Sequence, residues 1–271
     1  MELGDRFRSG RKFINKFLWI ICIPIVLNLT ELFSYQLIYK TNYLPITKLF
    51  IIKIGIISAP PSVGFLLEDF PSPLLHYNGI SGLRGIIYEF NLFNVFLMIT
   101  FILITSFISS GYFSIISAKE ESTPGIKNFF INGNENWYKF FILHIIEFIP
   151  FAFGIVNNKF VFLAFINVIF MYVDYSIAVD GGRLKDNFKK GILFLFNNLG
   201  LTIKMAFYYG MIFSLLSMAV HFLGSLGTIG IIIDIIIVAY FGVAVNRAVL
   251  EVYTFVSKYD IKLFLDSDGV F

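Results

Sequence analysis

Between Ile46 and Leu67 the chain reads ITKLFIIKIGIISAPPSVGFLL, and whether this stretch crosses a membrane decides how everything after it is threaded. A helical crossing needs about 20 apolar residues, and this segment is long enough. It also carries Lys48 and Lys53 and is interrupted by Pro60-Pro61. Proline removes a backbone donor and breaks a helix interior, so a continuous span here is disfavoured.

Around it, six stretches read as transmembrane helices: about 17–39, 88–117, 138–156, 160–179, 199–222 and 229–250. Pro24 predicts a kink in the first, and the second is long enough to tilt or to project beyond the bilayer. The expected fold is therefore an all-α, polytopic transmembrane bundle forming one domain over 1–271, with an outer loop at 40–87. Composition agrees. Hydrophobic residues make up 57% of the chain, 34 of them Phe, and charged residues only 14%. A soluble domain carries about 25% charged residues, and a chain of this size has too little interior to hide the surplus apolar surface from water.

Basic residues arbitrate the threading, because short cytoplasmic loops collect Lys and Arg. With six spans, the N-terminus, the 118–137 loop, the 180–198 segment and the C-terminal end, counted with Lys139 and Arg247 at the adjoining span ends, hold fifteen Lys and Arg, against five on the other face. A seventh span at 46–67 would place the five N-terminal cations opposite the remaining ten. Both termini are thus expected in the cytoplasm of a multi-pass cell-membrane protein. Residues 44–58 are then expected as an interfacial helix on the outer face, its lysines towards lipid headgroups. The basic N-terminus resembles a signal peptide, but its apolar run is longer than such a region and no small-x-small site follows it; it reads as a retained first span. The single cysteine, Cys22, allows no intrachain disulfide and no thiolate cluster.

Two segments look alike: Gly111-Tyr-Phe-Ser-Ile-Ile-Ser with Gly125-Ile-Lys-Asn-Phe-Phe, and Asp174-Tyr-Ser-Ile-Ala-Val-Asp with Leu184-Lys-Asp-Asn-Phe-Lys-Lys. Each reads as a descending span, an amphipathic cytoplasmic elbow and an ascending span. Leu184, Phe188 and Ile192 recur every four residues, as in a helix lying in the interface. The last span followed by Phe7 to Phe17 would complete a third unit, giving three hairpins about an axis normal to the membrane, an arrangement known in transporters.

The layout resembles families of six-helix prokaryotic membrane proteins, nearest to the membrane domain found beside some glycerophosphodiester phosphodiesterases and to its stand-alone relatives. The residues that carry the resemblance are Gly111-Tyr112, Asn132-Gly-Asn-Glu-Asn-Trp137 and Asp174-Tyr-Ser-Ile-Ala-Val-Asp-Gly-Gly182, within roughly 88–256. It implies the fold and a cell-membrane location. The soluble phosphodiesterase domain and its metal-site carboxylates and histidines are missing, so that activity does not carry over.

Ionisable groups inside spans are expensive and therefore candidates for function. On the cytoplasmic half these are His144, Glu147, Asp174, Lys204, Arg247 and Glu251, the last two accompanied by Asn246. His144 and Glu147 share a helix face, and Arg247 can pair with Glu251 four residues on. Brought together, these side chains would form a polar cavity open to the cytoplasm. The competing reading is interhelical hydrogen bonding and snorkelling, easiest for Lys204 and Arg247 near helix ends. One His with two carboxylates is a weak metal set, and no metal or cofactor is expected. Glu31, Glu89, His221 and Asp234 lie on the outer half. The stripes Ser106/Ser110/Ser114/Ala118 and Ala206/Gly210/Ser214 read as packing seams.

No phosphate-binding GxxxxGK loop, dinucleotide fingerprint, Gly-x-Ser-x-Gly elbow or His-Glu-x-x-His pair occurs, and no catalytic residue is assigned. The basic clusters form short loops suited to anionic lipid, not to nucleic acid. The expected partners are the lipid bilayer and another membrane protein or a second copy. A permease-like or accessory membrane subunit is the favoured reading. A membrane scaffold, or an intramembrane enzyme using His144 oriented by Glu147, is the alternative.

Overall fold

The computed structural model describes residues 2–46, 48–71, 76–78, 82–84, 91–118, 124–156 and 166–267. The regular structure among the described residues is helical apart from one short hairpin of two three-residue strands, His76–Asn78 and Gly82–Arg84. Helix α1 (Leu3–Lys16) leads through a single 3₁₀ turn (Leu18–Ile21) into α2 (Cys22–Tyr39). Then follow α3 (Leu92–Ile116), α4 (Ile126–Val156), the short α5 (Asn167–Phe170) and α6 (Val173–Asp180), α7 (Leu184–Asn197), α8 (Leu199–Gly224) and α9 (Thr228–Ser267).

Four helices are long and apolar enough to cross a bilayer: Leu18–Tyr39, Leu92–Ile116, Leu199–Gly224 and Thr228–Lys258. This is the make-up of an integral membrane protein. The stretch 138–156 lies within α4, whose helix starts at Ile126 and so fuses the expected elbow to the span. The stretch 160–179 falls partly outside the described residues; its described part is α5 and α6. Pro24 does not kink a long helix. It stands in the first turn of α2, where a missing N–H costs no intrahelical bond.

The helices associate as three pairs: α1 against α9, α3 against α4, and α6 against α7 leading into α8. In each pair a buried elbow glycine meets the backbone of the descending helix. Gly10 faces Ala244, Gly133 faces Gly111, and Gly191 faces Tyr172 and Val173. The three elbows share one pattern, Leu3-x-Asp5-x-Phe7-x-x-Gly10, Ile126-x-Asn128-x-Phe130-x-x-Gly133 and Leu184-x-Asp186-x-Phe188-x-x-Gly191. Small residues let two backbones approach to van der Waals contact, so the repeated glycine marks the crossing point of each pair.

An aromatic core ties the pairs together. Phe113 of α3 stacks on Phe140 of α4 at 5.5 Å and meets Tyr175 of α6 edge-on at 5.2 Å. Tyr172, Phe194 and Tyr253 converge with centroids 4.6–6.3 Å apart. Buried tyrosines need a partner for the hydroxyl. Tyr172 bonds Thr202 at 3.0 Å, and Tyr253 donates to Asp180 at 2.7 Å. Asp180 also accepts from Ser176 at 3.0 Å and pairs with Lys190 at 3.5 Å, closing the α6–α7 turn. Arg6, Lys127, Arg183 and Lys258 all lie towards one end of the bundle, hereafter the basic end; the opposite end is the loop end.

The expected interfacial helix at 44–58 is not there. The described residues of this segment are extended and irregular. They run from the loop end down the small-residue stripe of α8 and turn at Ala59-Pro60-Pro61. The chain then climbs back through a 3₁₀ turn at Val63–Phe65. Glycine makes the close approach to α8 feasible, because a Cβ on Gly210 would overlap the Lys53 carbonyl. Gly210→Ala is therefore expected to destabilise the protein by about 1–3 kcal/mol, read as a lowered unfolding midpoint in detergent. Gly200→Ala, where nothing lies within 4 Å of the added Cβ, leaves it unchanged or slightly raised.

Candidate functional site

A backbone that enters a membrane without being a helix must find partners for its amides and carbonyls. Here α8 supplies them on every second residue. Ile51 N–H donates to Ser217 Oγ at 3.1 Å, Lys53 N–H to Ser214 Oγ at 2.8 Å, and Gly55 N–H to the Ala206 carbonyl at 3.1 Å. Each serine hydroxyl has acceptors on both sides, Ser214 the Gly210 carbonyl at 2.9 Å and the Lys53 carbonyl at 3.4 Å, Ser217 the Ser214 carbonyl at 2.7 Å and the Ile51 carbonyl at 3.3 Å. The period of two is that of an extended chain, laid against a helix instead of a strand. The stripe Ala206/Gly210/Ser214 is thus a seam for this segment and not for another helix.

The turn of the excursion lies deep. Asn246 Nδ2 donates to Ser58 O at 3.0 Å and to the Tyr112 hydroxyl at 3.1 Å. Asn246 is five turns into α9 from Thr228, and Ala206 is five turns before Gly224, the loop-end terminus of α8. Both place the tip about 27 Å below the loop end at 1.5 Å per residue. That approaches the full hydrocarbon thickness of about 30 Å. Two consecutive prolines suit such a tip, because neither has an N–H to satisfy.

Asn28 of α2 clamps the return limb. Its Nδ2 donates to Pro61 O at 3.2 Å, and its Oδ1 accepts from Val63 N–H at 2.9 Å and Ser62 Oγ at 3.2 Å. Higher up, Glu68 bridges Lys48 at 2.7 Å and Lys53 at 2.9 Å, tying the two limbs together. Asp69 accepts from Tyr43 Oη at 3.1 Å and Ile46 N–H at 3.0 Å. Close by, His221 and Asp234 are buried on α8 and α9. Neither has a hydrogen-bond partner among the described residues.

Below the tip, at the basic end, a cavity of about 430 Å³ opens between α1, the ends of α3 and α6, and α9. Arg247 and Glu251 line it, together with Arg6 and Lys258. Arg247 is almost wholly buried. Its Nε donates to Glu251 Oε1 at 3.1 Å, its Nη1 to the carbonyls of Ile116 and, at 2.9 Å, Ala118, and its guanidinium lies 4.4 Å over the Phe13 ring. Those carbonyls end α3, where a helix leaves acceptors unpaired. Glu251 also accepts from Ser9 Oγ at 2.9 Å and faces Arg6 at 3.6 Å.

The other four expected residues are not in this lining. His144 is held by α3: its Nδ1 lies 2.9 Å from Ser106 Oγ, which also donates to Ile102 O at 2.5 Å. Glu147 and Asp174 lie close enough to interact across the α4–α6 contact. Asn167 donates to the Glu147 main-chain carbonyl at 2.8 Å. Lys204 is exposed on the outer surface of α8, one turn from its basic end. The expected single cavity is therefore two separate polar sites and a snorkelling lysine. Among the described residues no group of three or more His, Cys, Asp or Glu could hold a metal ion. Glu89 lies outside the described residues.

Asn28 and Glu68 were not singled out by sequence reasoning, and Asp180 entered only as the end of the motif that begins at Asp174. Asn28 had a signal, a lone amide in the apolar run Ile25–Leu29. Glu68 had none, since loop carboxylates are ordinary. Comparison with known proteins finds no matching family model, no matching curated protein and no matching solved structure.

Hydrogen bonds from Lys48 and Lys53, and then their charges, hold the Glu68 carboxyl below its ordinary value against the opposing effect of burial. A folded-state value below the unfolded 4.5 contributes stability above that pH and loses it as pH falls through the folded value. Glu68→Gln is expected to lower the unfolding midpoint at pH 7. The difference from the parent protein should shrink steadily below pH 4.5, as followed by thermal unfolding across a pH series.

Proposed function

We propose that the chain is a permease-like, multi-pass membrane protein whose solute path follows the excursion of residues 46–66 down to the cavity at the basic end. The observation that carries this reading is the extended segment at bilayer depth. Non-helical backbone is tolerated there only inside protein or beside a water-filled space, and broken or irregular segments of this kind form substrate sites in transporters and filters in channels. Supporting it, the alternate amides of Ile52 and Ile54 have no acceptor among the described residues. In hydrocarbon each would cost several kcal/mol. The side chain of Ser58 at the tip is exposed.

On this reading the stretches 138–156 and 160–179 are two further crossings, which gives six. The basic end then faces the cytoplasm, as the distribution of Lys and Arg favours. An intramembrane enzyme using His144 oriented by Glu147 is less favoured, because the hydrogen-bond partner of His144 is Ser106 and not Glu147. One observation favours a second reading, an accessory subunit. The side chains of Ile52 and Ile54, 73% and 61% exposed, would sit better against protein than against water.

Cysteine reactivity separates the two. In a Cys22→Ser background, Ile52→Cys and Ser58→Cys should both react with a membrane-impermeant thiol reagent, Ser58→Cys after access is given to the cytoplasmic face. If both stay unreactive from either face and Ile52→Cys instead crosslinks to another chain, the water path is lost and the accessory reading stands.

A further inference from the structure

We infer that the cavity at the basic end is a binding site for an organic phosphate, taken as a phosphate ester with the ester group against its apolar wall. Three cations, Arg6, Arg247 and Lys258, meet a single carboxylate, Glu251, in one opening. The lining therefore carries two positive charges more than it neutralises, and a carboxylate ligand would balance only one of them, whereas a phosphate monoester carries about −1.5 to −2 near pH 7.

The cations divide into fixed and available ones. Arg247 is pinned by Glu251, by the α3 carbonyls and by Phe13, so its charge is held in the cavity wall by packing. Arg6 touches Glu251 at 3.6 Å, beyond hydrogen-bond reach, and its guanidinium lies 5.3 Å over Phe255. Lys258 is exposed at the rim. Arg6 and Lys258 can turn onto an oxyanion without breaking the packing that holds Arg247. Guanidinium and ammonium groups in this arrangement make the short charge-assisted bonds that phosphates select. Ser117 and Thr254 add hydroxyls to the same lining.

Size and polarity set the rest. A space of about 430 Å³ far exceeds one phosphate group and falls within the range of small-molecule pockets. Part of the wall is apolar, from Ala178, Val179 and Leu250. The occupant is thus a phosphate monoester carrying a carbon skeleton, taken from solution or as the monoester headgroup of phosphatidic acid at the bilayer surface. The proposal does not depend on solute movement through the protein.

The test uses the full chain purified in a neutral detergent and has two arms. Phenyl phosphate, with phenol and benzoate as controls, is titrated against the unfolding midpoint. Phosphatidic acid, phosphatidylglycerol and phosphatidylcholine are offered in mixed vesicles, and retained lipid is read by native mass spectrometry. A saturable rise with phenyl phosphate, weakened about tenfold or more by Arg6→Gln with Lys258→Gln, supports the site and assigns it to a soluble ester. Retention of phosphatidic acid over phosphatidylglycerol and phosphatidylcholine, lost in the same double variant, supports it and assigns a lipid headgroup, and retention of phosphatidylglycerol equal to that of phosphatidic acid overturns the choice of a monoester. Lys258→Gln alone, a surface change outside the packing, should weaken either ligand in the same direction and guards against misfolding. Benzoate binding as well as phenyl phosphate, no binding in either arm, or binding indifferent to Lys258 overturns the assignment.

Discussion

Every amide and carbonyl in the bilayer interior needs a partner, and the excursion of residues 46–66 is the place where this demand shapes the protein. An α-helix meets it internally. An extended chain cannot, so its neighbours must present donors and acceptors at the right spacing. Ser214 and Ser217 do so on α8, Asn28 on α2 and Asn246 on α9. Their positions in otherwise apolar helices follow from the needs of a segment far away in sequence. The glycine at 210 and the proline pair at the tip solve the remaining problem, by removing a side chain where two backbones touch and donors where no acceptor is near.

Much of the architecture was legible in composition and periodicity. The long apolar runs at 17–39, 88–117, 199–222 and 229–250 fall on the four long apolar helices, the last of which continues well past 250, because a lipid-facing helix shows its whole apolar surface in sequence. The amphipathic segments at 184–197 and near the N-terminus also appeared as helices. The excursion was not legible. Its apolar character fits a lipid-facing surface of any backbone geometry, and period two was masked because Ile51, Ile52 and Ile54 are alike on both faces. The proline pair argued correctly against a continuous helix here but not for what replaced it.

The site divided along the same line. Arg247 and Glu251 met as their four-residue spacing required, since a helix places such pairs on one face. Spacing within a helix says nothing about which helices adjoin, and the remaining residues separated accordingly. His144 turned to the serine stripe of α3, Asp174 to Glu147, and Lys204 outward. The residue that completes the basic-end cavity, Arg6, comes from α1, more than two hundred residues away from Glu251 in the chain.

The three elbows explain why that distant residue is in place. Each elbow glycine brings its helix onto the backbone of a descending helix, and for α1 the partner is α9 at Ala244. The contact is between chain ends, yet it repeats the geometry of α4 on α3 and of α7 on α6. Arg6 stands four residues before Gly10, one turn further along α1, and that turn sets it beside Glu251, seven residues beyond Ala244 on α9. The corresponding residues of the other elbows are Phe129 and Asn187, so the cation belongs to this unit alone. A shared crossing therefore fixes the scaffold three times, while the residue one turn from the glycine differs in each unit and distinguishes the unit that carries the charged cavity.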